Sequence, residues 1–429
     1  MKPSHTIRAV FDDPNLVSAA GLVPALRLAG SAGLHDLLEA QLSVPSPNAA
    51  AKTVSVVAGM LAGADSIDDL GLLRHGGMPR LFTGVRAPST LGTFLRSFTH
   101  GHVQQLDKVG AGVLAGLARR VPGLLAGADK LAFVDVDDTV REVHGYAKQA
   151  AAYGYTRRRG LNVQLATVST SDSAPVLARA RLRRGNTASA AGAGRLLAQA
   201  LTTTRAAGVS GPVLARADSA YYGRAFVGTA WTPIRYPQAV WDEILGCWVS
   251  DAQVAEIDYV AFTGRRTREH VPCRLVVRRV RRLQPLASDG SVQGELFATW
   301  RHHAFITNST LGTIEADQAH RGHAIVEQVI AELKDGPLAH LPSGSYAANA
   351  AWVACAGIAF NIARAAAVAA GMATARWATL RRQVINLPAR IATTGRRLVL
   401  HLPTAWPWAT PWRALWTATT GPPPAGVRT

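Results

Sequence analysis

Residues 317–337 read DQAHRGHAIVEQVIAELKDGP, and the rest of the chain is best read outward from them. Ile325, Val326, Val329, Ile330 and Leu333 recur at helical spacing and define an apolar face. Asp317 is placed to cap the first turn, and Asp335-Gly336-Pro337 supplies a glycine and a proline that stop a helix. The spacing therefore predicts one helix across the stretch. At about 100° per residue, His320, His323, Glu327 and Lys334 share a stripe about 60° wide on its polar side. Glu332 points well away from that stripe, which leaves Glu327 as the acid aimed with the basic groups.

Two other segments offer acids at strand ends. LAFVDVDDTV, from Leu131, alternates, with Phe133, Asp135, Asp137 and Thr139 on one face and Val134, Val136 and Val140 on the other. Two carboxylates on one strand face repel unless a cation offsets them, and a divalent metal would do so. Either Asp135 or Asp137 fits that role. A hairpin follows, with strands at 161–169 and 176–183, then a helix from about Thr187 to Ala207 that ends at Gly208. PVLARADSAYYGRAF then gives a short buried strand, Val213 to Ala217, with Asp218 at its carboxyl end. Open α/β sheets bind ligands at such ends.

Composition bounds the partners. Lys and Arg outnumber Asp and Glu by 46 to 28, a formal charge of +18, which favours a polyanion, nucleic acid first. Cys247, Cys273 and Cys355 are the only cysteines, and no two have zinc-motif spacing. A disulfide framework and a structural zinc site are both excluded as expectations, in keeping with a reducing cytoplasm. The opening MKPSHTIRAVFDDPNL lacks the apolar core of a signal peptide. The alanine-rich run 346–363 contains Asn349 and Asn361 and meets Arg364, so it reads as a buried helix rather than a membrane span.

The helix stripe resembles the Tyr-x2-Arg-x3-Glu-x6-Lys signature of bacterial insertion-sequence DDE transposases. His320 and His323 stand at the tyrosine and arginine places, while Glu327 and Lys334 match outright. FVDVDDTVREVHG, LARADSAYYGRAF and HRGHAIVEQVIAELKDGPLAH resemble the three acid motifs of the insertion sequence 1380 family, within the broader insertion sequence 4-like transposases (DDE group 1). APSTLGTFLRSF and AWVACAGIAFNIARA resemble its flanking helical regions, so the likeness runs from about residue 15 to 415. The family's Asp-Gly-Thr-like first motif aligns with Asp137-Asp138-Thr139 and selects Asp137 over Asp135.

The resemblance implies a catalytic and metal-binding set of Asp137, Asp218 and Glu327. It implies two Mg²⁺ ions, with Mn²⁺ as substitute, and a DNA substrate: transposon ends carrying terminal inverted repeats, then target DNA. A homodimer in the DNA complex and a cytoplasmic, nucleoid-associated location follow, with no membrane partner. His320, His323, Lys334, Arg321 and the run Arg157, Arg158 and Arg159 are the expected DNA contacts, although neutral imidazole binds phosphate less well than guanidinium.

The fold class expected is α/β, a ribonuclease-H-like core with a β-rich insertion, flanked by helical regions. The organisation expected is a helical DNA-binding or dimerisation region at 1–127 and the first part of the core at 128–230. The insertion then occupies 231–312, the glutamate helix completes the core at 313–338, and a helical, basic region follows at 339–429. Pro88-Ser89-Thr90 precedes a helical run, LGTFLRSFTHGHVQQLDKV, with Ser89 or Thr90 as its cap. The core departs from the family in one respect. The chain passes from the Asp218 segment straight to Trp231-Thr232-Pro233, with no strand between Phe226 and Pro237. An internal deletion near residues 230/231 would produce this and impair catalysis. Two other readings stay open: a non-catalytic DNA-binding remnant of a transposase, and a transition-metal hydrolase using His320, His323 and Glu327, with His302-His303 adding ligands.

Overall fold

The computed structural model describes residues 7–421 apart from 145–146, 155, 190, 218–230, 235–239, 243–246, 250–251, 262–266, 268–269, 282–299, 323–324 and 396. The chain divides into two compact units, Met1–Ala215 with Val326–Thr429, and Arg216–Ile325.

The first unit opens with a two-residue strand, β1 (Leu16–Val17), and six helices: α1 (Leu22–Ser31), α2 (Leu34–Gln41), α3 (Ala49–Ala62), α4 (Met78–Leu81), α5 (Pro88–Arg96) and α6 (His100–Arg120). The single helical run expected after Pro88 is two helices. Ser89 and Thr90 lie inside α5, and the break at Ser97–Thr99 lets Thr99 and His102 form a reciprocal capping box that starts α6. Glycine permits the closest packing here. A Cβ on Gly116 of α6 would stand 2.0 Å from the Ala32 carbonyl oxygen.

The sheet that carries the acids follows. It is built from β2 (Ala132–Glu142), β3 (Ala152–Tyr153), β4 (Arg159–Thr170), β5 (Ser173–Arg183) and β6 (Val213–Ala217), with α7 (Ala193–Ala206) between the last two. The order is β3-β4-β2-β6, and β5 also pairs with β4. β2 and β4 are antiparallel, with Asp137 opposite Leu165 and Asp135 opposite Thr167. Alternation put Val134 and Val136 inside as expected, but β4 is buried along nearly its whole length, because it is central and covered on both faces. The expected helix start at Thr187 is displaced to Ala193. The backbone carbonyls of Ala188, Ser189 and Ala191 instead accept hydrogen bonds from the buried Arg183 guanidinium, which holds that segment as a loop.

The second unit holds β7 (Thr232–Ile234), β8 (Val240–Asp242), β9 (Cys247–Val249), β10 (Ala252–Ala261), β11 (Val271–Arg281), β12 (Trp300–Thr307) and α8 (Thr313–Arg321). Its main sheet has the order β12-β11-β10-β7, antiparallel at each pairing. Its small core gathers Ile234, Val254, Val276, Phe305 and Ala316. The β-branched, arginine-rich sequences thus form strands, with apolar residues inside and arginines alternating between them.

The chain returns to the first unit through α9 (Ile325–Lys334), α10 (Tyr346–Ala369) and α11 (Trp377–Leu380). It then forms a hairpin, β13 (Ala389–Thr394) and β14 (Arg397–His401), and ends in α12 (Ala409–Thr420). That hairpin corrects the expectation of a wholly helical C-terminal region, and β13 also pairs with β1. α10 is the one helix among the described residues long and apolar enough to cross a membrane, yet 89% of its apolar window is buried inside the protein. Its polar residues are satisfied within the fold. Asn361 donates to the Leu177 carbonyl and accepts from the Leu177 N–H, each at 2.8 Å, and so covers the outer edge of β5 as a strand would. The C-terminal tryptophans serve packing: Trp412 and Trp416 stack at 5.0 Å, and the Trp406 indole donates to the Gln383 carbonyl.

Candidate catalytic site

β2 fixes the register of three acids with three different surroundings. Asp135 is fully buried, at 0% exposure. Asp137, two residues on and therefore on the same face, is half-buried and accepts the Asp138 N–H at 2.7 Å. Asp138 points to the other face, where its carboxylate pairs with Arg183, both side chains being about 5% exposed. Arg183 also donates to Asn162 at 2.9 Å, so that ion pair belongs to the packing beneath the strand. Of the three, Asp137 is the carboxylate that combines a fixed strand position with an approach from outside.

The expected single helix at 317–337 is two helices among the described residues, α8 ending at Arg321 and α9 beginning at Ile325. Asp317 is not a cap. It lies in the middle of α8, 2% exposed and 3.2 Å from Arg321, and burial pushes its carboxyl up despite that partner. His320 belongs to α8, with its ring flat against Phe305 at 4.0 Å, while Glu327 and Lys334 belong to α9. His323 and Asp218 lie outside the described residues.

α9 is oriented by a residue that the sequence reading set aside. Glu332 is buried, pairs with Arg364 at 2.5 Å, and accepts the Trp377 N–H at 2.8 Å. Arg364 lies on α10 and Trp377 starts α11, so one carboxylate ties three helices. Glu327 stands five residues earlier, about 140° around the helix, and is exposed. Burying Glu332 turns Glu327 outward.

Lys334, one turn past Ile330, stands within electrostatic reach of both Asp137 and Arg141. Burial and the Arg141 guanidinium hold its ammonium below the usual lysine range, and the Asp137 carboxylate works against them. Arg141 went unnoticed in the sequence, although the signal was there: it continues the alternation of Asp137 and Thr139 on one face of β2. The arginine run divides. Arg157 is exposed with φ +56°, Arg158 pairs with Glu142 at 2.8 Å, and Arg159 enters β4 opposite Tyr153.

Carboxylate oxygens are the ligands that Mg²⁺ prefers, and Asp137 and Glu327 each present one to the surface. Among the described residues no three His, Cys, Asp or Glu side chains gather in a metal-binding cluster.

Comparison with known families gives one match. The model of a family described as a transposase DDE domain aligns with residues 129–362, more than half of the chain and all three acid motifs. No curated protein matches the chain.

Proposed function

The chain belongs to the transposase DDE-domain family, and from that premise we propose that it acts on the ends of an insertion sequence of the 1380 family, cleaving and joining DNA strands with Asp137, Asp218 and Glu327. One observation supports this most. Lys334 and Asp137, distant in sequence and drawn from separate motifs, lie within electrostatic reach of each other. The sheet order, with an antiparallel hairpin beside β2 and β6 on its other side, agrees with a ribonuclease-H-like core.

In this reading Asp137 presents its carboxylate from the rigid centre of the sheet, and Glu327 presents its own from a helix locked by Glu332. Asp218 follows directly on β6 in the sequence. Two Mg²⁺ ions held by the three acids would activate the attacking oxygen and stabilise the leaving one. Lys334, beside Asp137, holds a non-bridging oxygen of the scissile phosphate and offsets charge that grows during the displacement. Arg321, Arg157 and Arg158 add phosphate contacts at the surface, with His320 and His323 as weaker ones. A homodimer on paired inverted repeats completes the proposed complex.

The same reading includes a defect. The structure corrects the expectation of no strand between Phe226 and Pro237, since β7 lies there, but β7 pairs with β10 in the second unit, and among the described residues no strand flanks β6 on its outer side. We attribute this to a deletion near residues 230/231. Misplacing a catalytic group by about 1 Å costs about 10²-fold, so the chain is expected to bind end DNA well and cleave it slowly. A DNA-binding remnant without catalysis is the second reading that this edge favours. Incubating the protein with its element's end DNA and Mg²⁺ distinguishes them: slow nicking that each of Asp137→Ala, Asp218→Ala and Glu327→Ala abolishes supports the transposase, and binding without any nicking supports the remnant.

A further inference from the structure

A cavity of about 800 Å³ lies in the first unit where β2 ends, bounded by α5, residues 66–68 and the Ala339–Pro342 segment. Three basic side chains line it, Arg96, Arg141 and Lys148, together with His144 and His340. Two acids also face it. Glu142 is already paired with Arg158, whose hydrogen bond holds its carboxyl below the usual range, and Asp68 is exposed. The balance is cationic, and it is built rather than scattered. Arg141 donates to the Ala339 carbonyl and Lys148 to the Leu341 carbonyl, so both long side chains are held in place by the same short segment. The buried Nε of Arg141 has no hydrogen-bond partner among the described residues.

The position of the cavity gives it a purpose. Arg141 follows Asp137 by four residues on the same face of β2, roughly 13 Å along the strand. Lys334 stands within electrostatic reach of both Asp137 and Arg141, and Arg141 itself lines the cavity. A cavity of this volume is in the range of ~300–1,000 Å³ that takes ligand-sized groups, which suits the backbone of one strand and excludes a whole duplex. Beyond Arg141 the wall is formed by α5, whose start has no side-chain cap, and by the exposed Arg96 at its last turn.

We propose that this cleft, through Arg96, Arg141 and Lys148, is a backbone track for the DNA strand that carries the scissile phosphate, holding the phosphates next to it on one side. The proposal rests on the strand-cleaving reading above and extends it to residues outside the three acid motifs. Arg141 marks the entrance to the track, nearest Asp137, and Arg96 and Lys148 mark its course.

The test measures binding in EDTA, so that a failure of catalysis and a failure of the track are separate results. Fluorescence anisotropy of end DNA is followed against salt for the native chain, Arg96→Ala, Lys148→Ala and the double variant. Arg119→Ala, exposed in the last turn of α6 and outside the cleft lining, is the control. Each cleft variant is expected to lower the salt slope by about 1, the double variant by about 2, and Arg119→Ala to leave a smaller, sequence-independent change. Neutral methylphosphonate linkages, placed one at a time through the terminal nucleotides, identify the phosphates involved. Two or three adjacent positions on one strand should weaken the native chain and leave the double variant indifferent. Since Arg96 is exposed, its variant keeps the native fold, and its melting temperature verifies this. The track is overturned if every linkage weakens native and double variant alike, or if Arg96→Ala and Lys148→Ala leave the slope at the native value.

Discussion

Replacing Glu332 by alanine should unfold the protein far more readily than replacing Glu327, five residues away on the same helix. Glu332 is buried and receives the Arg364 guanidinium at 2.5 Å, the Trp377 N–H at 2.8 Å and the Gln328 amide at 3.2 Å. Removing it strands Arg364, whose side chain is 3% exposed. Breaking a buried pair from one side costs about 3–5 kcal/mol. Arg364 keeps its bond to the Ala375 carbonyl at 2.7 Å and its place 5.2 Å over Phe360, so a loss of about 3 kcal/mol is expected. Glu327 is exposed with no buried partner to strand, and its alanine variant should stay within about 0.5 kcal/mol of native. Urea unfolding followed by tryptophan fluorescence measures both. Glu332→Leu combined with Arg364→Met should recover most of the loss, because an apolar pair of similar volume replaces the ion pair. A loss below about 1 kcal/mol for Glu332→Ala, or an equal loss for Glu327→Ala, would refute the division of labour between the two acids.

Other consequences are open to direct measurement. Gly116→Ala should destabilise by about 1–3 kcal/mol, because its Cβ would stand 2.0 Å from the Ala32 carbonyl oxygen; thermal melting reads this, and an unchanged melting temperature would mean that α6 and the end of α1 are more loosely joined. Asp107 has its carboxyl raised above 3.8 by burial, only partly opposed by Arg179. Its contribution to stability is therefore fully present below 3.8 and lost as pH rises through the raised value. Asp107→Asn should accordingly gain stability relative to native across that interval and run parallel above it, and a difference independent of pH would contradict the assignment. Cys355 is buried, with its thiol pushed up to about 12, so iodoacetamide at pH 8 should label Cys273 and spare Cys355 until the chain unfolds; mass spectrometry of the digested protein reads both sites.

Much of the core was legible because its elements obey local rules. The β2 alternation, the hairpin that became β4 and β5, and the bounds of the strand from Val213 to Ala217 follow from period-2 patterning and turn residues alone; that strand is not the buried one expected, since only Arg216 of its residues is buried. The helix at 317–337 shows where local reading stops. Helical spacing does not reveal the tertiary partners of the stretch: Phe305 stacks on His320, and Glu332 fixes α9 against Arg364 and Trp377. The C-terminal hairpin was missed because Arg390 and Arg397 interrupt its apolar alternation, and its pairing with β1 is a long-range event that no local window contains. The strand position of Asp137 could be read from sequence, whereas the roles of Glu332 and Arg183 could not, since a buried charge is intelligible only once its partner is in place.

The central claim is that Asp137, Asp218 and Glu327 act together on DNA, and the most direct measurement is single-turnover cleavage of end-labelled element DNA with Mg²⁺. The native chain and the alanine variant at each acid are assayed side by side, with EDTA as control. The account predicts slow nicking by the native chain, abolished by EDTA and by each substitution, while all four proteins bind the DNA alike. Nicking that survives Glu327→Ala or EDTA, or DNA left intact by the native chain, would contradict it.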